Sequence, residues 1–365
     1  MTRVAILTPT LTSADAVSND VLGMRNLLVG RGHDTCIFAD STNLPGEQIQ
    51  PPAAASSYLK GAEDVLIYHH SIGWDEGIER LKAGSWRKIV KYHNVTPPEF
   101  FENISEQHQS LCRRGLSQIK EIIACRPDLY LAASAFNGSD LINSGSESHK
   151  TFVVPPFNQA DQLRAGPANF DLLDDHDDGN VTLLTVGGIR PNKGHAALIE
   201  AFATYCYDFN SQARLFIVGG QYNAFRKYAE KLWELIEGWS MESRVKFTGE
   251  VSTDALKSYY LMADAMLMTS EHEGFCVPLV EAMSLKVPII AYASTAIRET
   301  ARDAALIWEE RDPFLMAQSI DFLQSNEEAR MELVERGSRR YEQNFSNFAI
   351  ENLFLNVTAH AGFDF

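Results

Sequence analysis

Glu273 and Glu281 stand eight positions apart in SEHEGFCVPLVEAM (270–283), a stretch otherwise built of small, apolar and aromatic residues. Pro278 suits the first turn of a helix, which would place Glu281 in that turn. A carboxylate there can accept hydrogen bonds from a ribose diol while free backbone amides hold phosphates. Glu273, on the preceding loop, would reach hydroxyls of a group attached beyond the phosphates. One segment could then hold a sugar, a diphosphate and a ribose in order. The plainer alternative is a carboxylate that only complements the helix dipole.

A second segment, TVGGIRPNKGHAALIEAF, begins at the end of an apolar run. Gly187 and Gly188 let backbone approach a ligand closely. Arg190 and Lys193 add positive charge, and Gly194 opens a helix whose first amides point the same way. Together these make a diphosphate clamp, although a glycine-rich turn carrying solvated Arg and Lys reads equally well. The spacing is not that of a Walker A loop. His93, at the end of KIVKYH, is either a ligand contact or a hydrogen-bonded turn residue before NVTPP. Asp175 and Asp177 match an Asp-x-Asp cation pattern. They lie in FDLLDDHDDGN (170–180), where five aspartates make a chance match; we read a linker or exposed loop and expect no metal.

The elements that must position these residues follow from periodicity. RVAILTP, DTCIFA, DVLIYHH, KIVKYHN and DLYLAAS read as strands separated by amphipathic helices. After the aspartate-rich break, NVTLLTVGG, ARLFIVGG, RVKFTGE, DAMLMTS and VPIIAYA repeat the rhythm. This predicts an α/β chain of two Rossmann-like, doubly wound parallel sheets facing across a cleft, with ligands at the carboxyl ends of the strands. The expected domains are 1–168, 169–342 and a C-terminal helix, 343–365, crossing back to the first.

At 365 residues, with 45% hydrophobic and 22% charged side chains, the chain suits two soluble domains. No apolar run reaches the roughly 18 residues of a bilayer span, and the short apolar start reads as a first strand, so a cytoplasmic protein is expected. Five scattered cysteines give neither a disulfide frame nor a zinc pattern. The net charge of -16 argues against nucleic acid. It divides into 15 basic and 18 acidic residues over 1–165 (net -3) and 17 and 30 over 166–365 (net -13). Basic residues cluster in ERLKAGSWRKIVK and CRRGLSQIKEIIACR. They form solvated faces or, in a sharper reading, a peripheral docking surface on an anionic membrane or phosphorylated acceptor.

SEHEGFCVPLVEAM resembles the E-x7-E motif of retaining glycosyltransferase family 4, which has the GT-B fold. RVKFTGEVSTDALKSYYLMADAMLMTSEHEGFCVPLVEAMSLKVPIIAYASTAIRET is similar to that family's nucleotide-binding half. VAILTPT, LLVGRGHDTCIFA and KYHNVTPPEFF are similar to its first half. The resemblance implies hexosyl transfer from a nucleotide sugar, GDP-mannose first and UDP-glucose or another UDP-hexose next, to an acceptor hydroxyl in polysaccharide or lipid-linked oligosaccharide assembly. No cofactor or metal is implied.

By position, Glu281 would bind the ribose, Glu273 the donor hexose and Lys193 the diphosphate. His93 and the amides of Gly274 and Phe275 would face the sugar. Two departures stand out. The family's arginine aligns with Gly188, leaving Arg190 as its substitute. The glycine pair after the first strand is replaced by Asp15 and Ala16; Ala16 is then a backbone contact and Asp15 points toward the acceptor. A UDP-sugar epimerase of the same architecture and a non-catalytic nucleotide-sugar-binding relative are the alternatives.

Overall fold

The computed structural model describes residues 2–13 and 15–365. It divides into two compact units, residues 1–99, 107–158 and 347–365 forming one, and 100–106 with 159–346 the other.

The N-terminal unit is built on β1 (Arg3–Leu7), β3 (Asp34–Phe38), β5 (Val65–His70), β6 (Arg87–Tyr92), β7 (Leu129–Ala132) and β8 (Thr151–Val153). They pair in the order β3-β1-β5-β6-β7-β8, all in parallel. Two short strands, β2 (Thr10–Leu11) and β4 (Ser41–Thr42), form a separate parallel pair. The central strands are buried on both faces, so they read as continuous apolar runs. Val4, Ile6, Ile67, Ile89 and Leu131 form the core with Ile350, Phe354 and Val357 of the last helix, Asn347–His360. Arg87 fixes the segment after that helix: its guanidinium lies 3.6 Å over the Phe363 ring and donates to the carbonyls of Ala361 and Gly362.

The C-terminal unit repeats the scheme with β9 (Thr182–Val186), β10 (Arg214–Val218), β11 (Val245–Gly249), β12 (Ala265–Met268), β13 (Ile289–Tyr292) and β14 (Leu306–Trp308). Their order is β11-β10-β9-β12-β13-β14, again all parallel. Counted within the unit this is 3-2-1-4-5-6, the order of dinucleotide-binding sheets. The strand order reverses between β9 and β12. Open sheets of this kind bind ligands at their carboxyl edge, at such a reversal.

FDLLDDHDDGN, expected as a linker or exposed loop, is mostly exposed but carries local structure of its own. Phe170–Asp174 is a helix capped by the Asn169 side chain. Asp178 receives both guanidinium nitrogens of Arg214, at 2.9 and 2.7 Å. Arg214 opens β10, so Asp178 ties the end of this segment to the sheet. The basic clusters are also largely engaged. Arg80 pairs with Glu76 and Glu79, Lys82 with Glu121, and Arg114 with Asp75 and Glu121. Lys91 is fully buried. All five cysteines are free thiols. Among the described residues, no helix is long and apolar enough to cross a membrane.

Three fully enclosed histidines make stability depend on acid. Burial holds His69 and His195 down at about 3 and His70 at about 4. The unfolded chain binds these protons near pH 6.5. Between pH 6.5 and 4 the unfolded state therefore holds more protons than the folded one, and stability is lost as pH falls. Each histidine contributes up to about 1.4 kcal/mol per pH unit in that window. The thermal midpoint is expected to fall steadily from pH 6.5 to 5, as read by calorimetry. A flat midpoint over that range would contradict neutral burial of these rings.

Candidate functional site

The two segments singled out in the sequence leave β9 and β12, the strands flanking the order reversal. After β9 the chain runs Gly187–Gly188–Ile189–Arg190, takes one tight turn at Pro191–Lys193 and enters the helix His195–Asp208. After β12 it runs Thr269–Cys276 before the helix Val277–Ser284.

Backbone contacts join the two loops. The Asn192 carbonyl accepts from the amides of Glu271 (2.8 Å) and His272 (3.3 Å). The Asn192 side-chain amide donates to the His272 carbonyl at 3.0 Å. The Thr269 hydroxyl donates to the Gly194 carbonyl at 3.0 Å. Gly194 sits at φ 65°, and a Cβ there would lie 2.1 Å from the Thr269 carbonyl oxygen. Only glycine fits that conformation and that approach. With the loops so fixed, Lys193 Nζ meets Glu273 Oε1 at 2.7 Å, a charge-assisted hydrogen bond between residues 80 apart. The Glu273 side chain is only 9% exposed.

A third loop holds Glu273 from behind, and sequence reasoning missed it. The Thr295 hydroxyl accepts from the Glu273 amide and donates to its carbonyl, both at 2.8 Å. Thr295 belongs to the turn after β13 and has φ 38°. Its only sequence signal was a small hydroxyl residue at the end of a strand. Beyond Glu273, the amides of Gly274 and Phe275 donate to no protein acceptor among the described residues. The Phe275 ring turns away and packs edge-on against Phe345 at 5.5 Å.

Glu281 is placed differently from the expectation. Cys276, in the left-handed region at φ 76°, is the residue before the helix, and Val277 begins it. Glu281 is therefore the fifth helical residue and lies in the second turn, past the free first-turn amides. Its partner is Tyr260, whose buried hydroxyl donates to Glu281 Oε2 at 2.7 Å. Burial raises the Glu281 carboxyl above its usual range, and the Tyr260 hydrogen bond opposes that shift. Removing the hydroxyl should raise it further and free the side chain to rotate. Tyr260→Phe is expected to weaken binding of a nucleotide sugar by about threefold to tenfold, from one lost hydrogen bond. Glu281→Ala should weaken it by tenfold or more. Equal affinities of all three proteins by calorimetry would remove Glu281 from the site.

The remaining residues are accounted for individually. Gly187 and Gly188 line the same loop as Lys193. Arg190 is exposed and stacks over the Tyr222 ring, 5.2 Å from its guanidinium carbon to the ring centre. That ring lies 3.0 Å from where a Cβ on Gly188 would stand. Tyr222 thus fills the space beside Gly188 and carries the arginine found two positions later. Burial pushes the Cys276 thiol up; the charges of Glu273 and Glu281 add to that shift and Lys193 opposes it.

His93 and Ala16 belong to the N-terminal unit. Ala16 is the exposed first residue of the helix Ala16–Gly30. Asp15 is the residue just before it. It caps this helix, accepting from the Ser18 amide at 2.9 Å and the Ser18 hydroxyl at 2.7 Å. His93 lies against His69 and Asp20. Among the described residues, the ring nitrogens and carboxylate oxygen of these three form the one acid–histidine cluster close enough to grip a metal, within 4.8 Å of one another. Lys91 Nζ stands 3.7 Å from the same Asp20 oxygen. A cation would meet that ammonium at close range, so the donor set fits a metal poorly.

Residues 174–340 match the family model described as glycosyl transferases group 1. O-antigen chain mannosyltransferase B of Escherichia coli is 28% identical over 130 residues, 35% of this chain and 33% of that protein. O-antigen chain mannosyltransferase RfbU of Salmonella typhimurium is 30% identical over 123 residues, 34% and 33% respectively. The chain thus resembles O-antigen mannosyltransferases, and the matched stretch spans about a third of each of these relatives. Over its whole length it superposes on sucrose-phosphate synthase from Thermosynechococcus elongatus (TM-score 0.77, 17% identity, 99% of both chains). It superposes likewise on HepE of Anabaena with UDP and glucose (0.76, 16%, 99% and 100%). The fold is GT-B, two Rossmann-like units.

Proposed function

We propose that this chain, a GT-B protein whose residues 174–340 carry a glycosyl transferases group 1 domain, transfers a hexosyl group from a nucleotide diphosphate sugar to an acceptor hydroxyl with retention at the anomeric carbon. The observation that carries the reading is the Lys193–Glu273 pair, 2.7 Å apart at the reversal of strand order, where such sheets bind nucleotides.

In this reading the donor diphosphate takes the place of Glu273 beside Lys193. Glu273 is then free to accept hydrogen bonds from the hexose hydroxyls. Lys193, with Arg190 and backbone amides, stabilises the negative charge that grows on the diphosphate as the glycosidic C–O bond breaks, while the Gly274 and Phe275 amides face the sugar. Glu281, oriented by Tyr260, takes the ribose. His93 contacts the donor sugar. The acceptor oxygen attacks the face from which the phosphate departs, and the departing phosphate accepts its proton; neither glutamate becomes covalently bound. The positive clamp and free amides do the work of a cation, so no metal is needed.

The mannosyltransferase names of the relatives favour GDP-mannose. The UDP and glucose of the HepE complex keep a UDP-hexose second. A glycan or lipid-linked glycan, met at the membrane surface, is the acceptor class.

The test is a calorimetric and thermal-shift panel of GDP, UDP, GDP-mannose, UDP-glucose and UDP-N-acetylglucosamine, with and without EDTA. Tightest binding of GDP-mannose, unchanged by EDTA, and slow release of free mannose in the absence of acceptor are the expected results. Binding by none of the five would overturn the transferase reading. Interconversion of UDP-sugars without hydrolysis would replace it with an epimerase.

A further inference from the structure

The buried polar groups beneath His93 have no counterpart in the donor clamp. Asp20 enters from the helix Ala16–Gly30, His69 from β5 and Lys91 from β6, and the side chains of all three are 0% exposed. The Asp20 Oδ1 atom is anchored by the Phe157 amide at 2.8 Å. Its Oδ2 atom has no hydrogen-bond partner. That oxygen instead faces three nitrogens: His93 Nε2 at 3.4 Å, Lys91 Nζ at 3.7 Å and His69 Nδ1 at 3.8 Å. The two imidazoles stack with ring centres 5.2 Å apart, and His69 Nδ1 meets His93 Nε2 at 3.0 Å. His70 does not take part. It faces the other way, toward the Tyr68 hydroxyl and the Gly115 carbonyl.

Two neutral imidazoles in such contact share a single hydrogen between them. It sits either on His93 Nε2 or on His69 Nδ1. The Asp20 oxygen decides between the two, since an anion repels a bare lone pair and attracts an N–H. It lies nearer to His93 Nε2. A hydrogen placed there is directed to the His69 lone pair, 3.0 Å away, and stands in the field of the carboxylate.

We propose that Asp20 and His69 are positioning residues that keep His93 in the tautomer protonated on Nε2, leaving Nδ1 as a bare acceptor for a sugar hydroxyl. Lys91, held by the Val154 and Pro155 carbonyls, opposes the upward push that burial gives the Asp20 carboxyl. The role given to Nδ1 rests on the transferase reading above. The tautomer itself does not.

The first measurement is a long-range ¹H–¹⁵N spectrum of the histidine-labelled full chain at pH 7.5. His93 is assigned from the spectrum of His93→Gln. A proton on Nε2 and a bare Nδ1 are expected. A bare Nε2 overturns the proposal, as does a stoichiometric metal found by elemental analysis of the purified protein, because a metal would then occupy that nitrogen.

The second measurement is kinetic. In Asp20→Asn and His69→Gln the affinity for the free nucleoside diphosphate should match wild type, while kcat falls tenfold to a hundredfold at an unchanged donor KM. The acid limb of the pH–kcat profile should also move. Asp20→Asn strands the Lys91 charge; if it does not fold, His69→Gln carries this arm. A loss of nucleotide affinity parallel to kcat would mean a merely structural role and overturn the proposal. The expected tautomer in a protein that binds no nucleotide sugar would leave the tautomer standing and sink the transferase reading alone.

Discussion

Lys193→Ala is expected to lower kcat/KM for the nucleotide sugar by about 10²-fold or more, the range found when one donor to a developing oxyanion is removed. The loss has two sources, which can be measured apart. The ammonium is the charge closest to Glu273, 2.7 Å away, and in the proposed complex it moves to the diphosphate. Removing it takes away stabilisation of the leaving group, which lowers kcat. It also leaves the largely buried Glu273 carboxylate without its partner, which costs stability and repels an incoming diphosphate, so KM rises. Glu273→Gln removes that repulsion. In the double variant the KM penalty should shrink while the kcat penalty persists, so the two substitutions will not add. Steady-state kinetics on the four proteins of the cycle checks this. A wild-type rate for Lys193→Ala would mean that the diphosphate binds elsewhere.

Gly194→Ala is expected to be the most damaging small substitution in the C-terminal unit. The new methyl would stand 2.1 Å from the Thr269 carbonyl oxygen, which is backbone and cannot swing aside. A left-handed φ of 65° adds a penalty for any L side chain. Left-handed strain of about 1–2 kcal/mol and overpacking of about 1–3 kcal/mol together predict a fall in thermal midpoint on the order of 5–15 °C. Donor affinity should fall as well, because Lys193 is carried by the residue before. Gly238→Ala is the control. Nothing lies within 4 Å of its added Cβ, and its effect should be near zero or slightly stabilising. Equal midpoints for the two variants would show that the Gly194–Thr269 approach is looser than described.

The parallel strands were legible because strands buried on both faces must be apolar along their whole length, as in RVAIL and VLIYHH. β8 and β14 escaped notice because three residues are too few to display a pattern. The two loops were legible from residue type and order: Lys193, Gly194 and Glu273 lie directly after strand ends. The partners were not. Tyr260 precedes Glu281 by 21 positions on a different helix, and Thr295 follows Glu273 by 22 on a different loop. No local pattern ties such residues; only the fold does. Glu281 was misjudged by one position, enough to carry it from the first turn into the second, because its helix starts at Val277, one residue before the proline. Asp20 carried no signal in the sequence, because its meeting with His69 and His93 depends on three elements converging.

The last helix has a consequence for synthesis. Ile350, Phe354 and Val357 fill part of the core built by Val4, Ile6 and Ile67, and Arg87 clasps the residues just beyond. On the ribosome, the unit begun first therefore waits longest for its final layer. Residues 159–346 emerge nearly whole in the meantime and have their own sheet and core to form around. Domains made in this way ordinarily finish in the order of their synthesis; here that order is reversed. Until 347–365 emerge, the N-terminal sheet keeps an apolar face open to any chaperone or neighbouring chain.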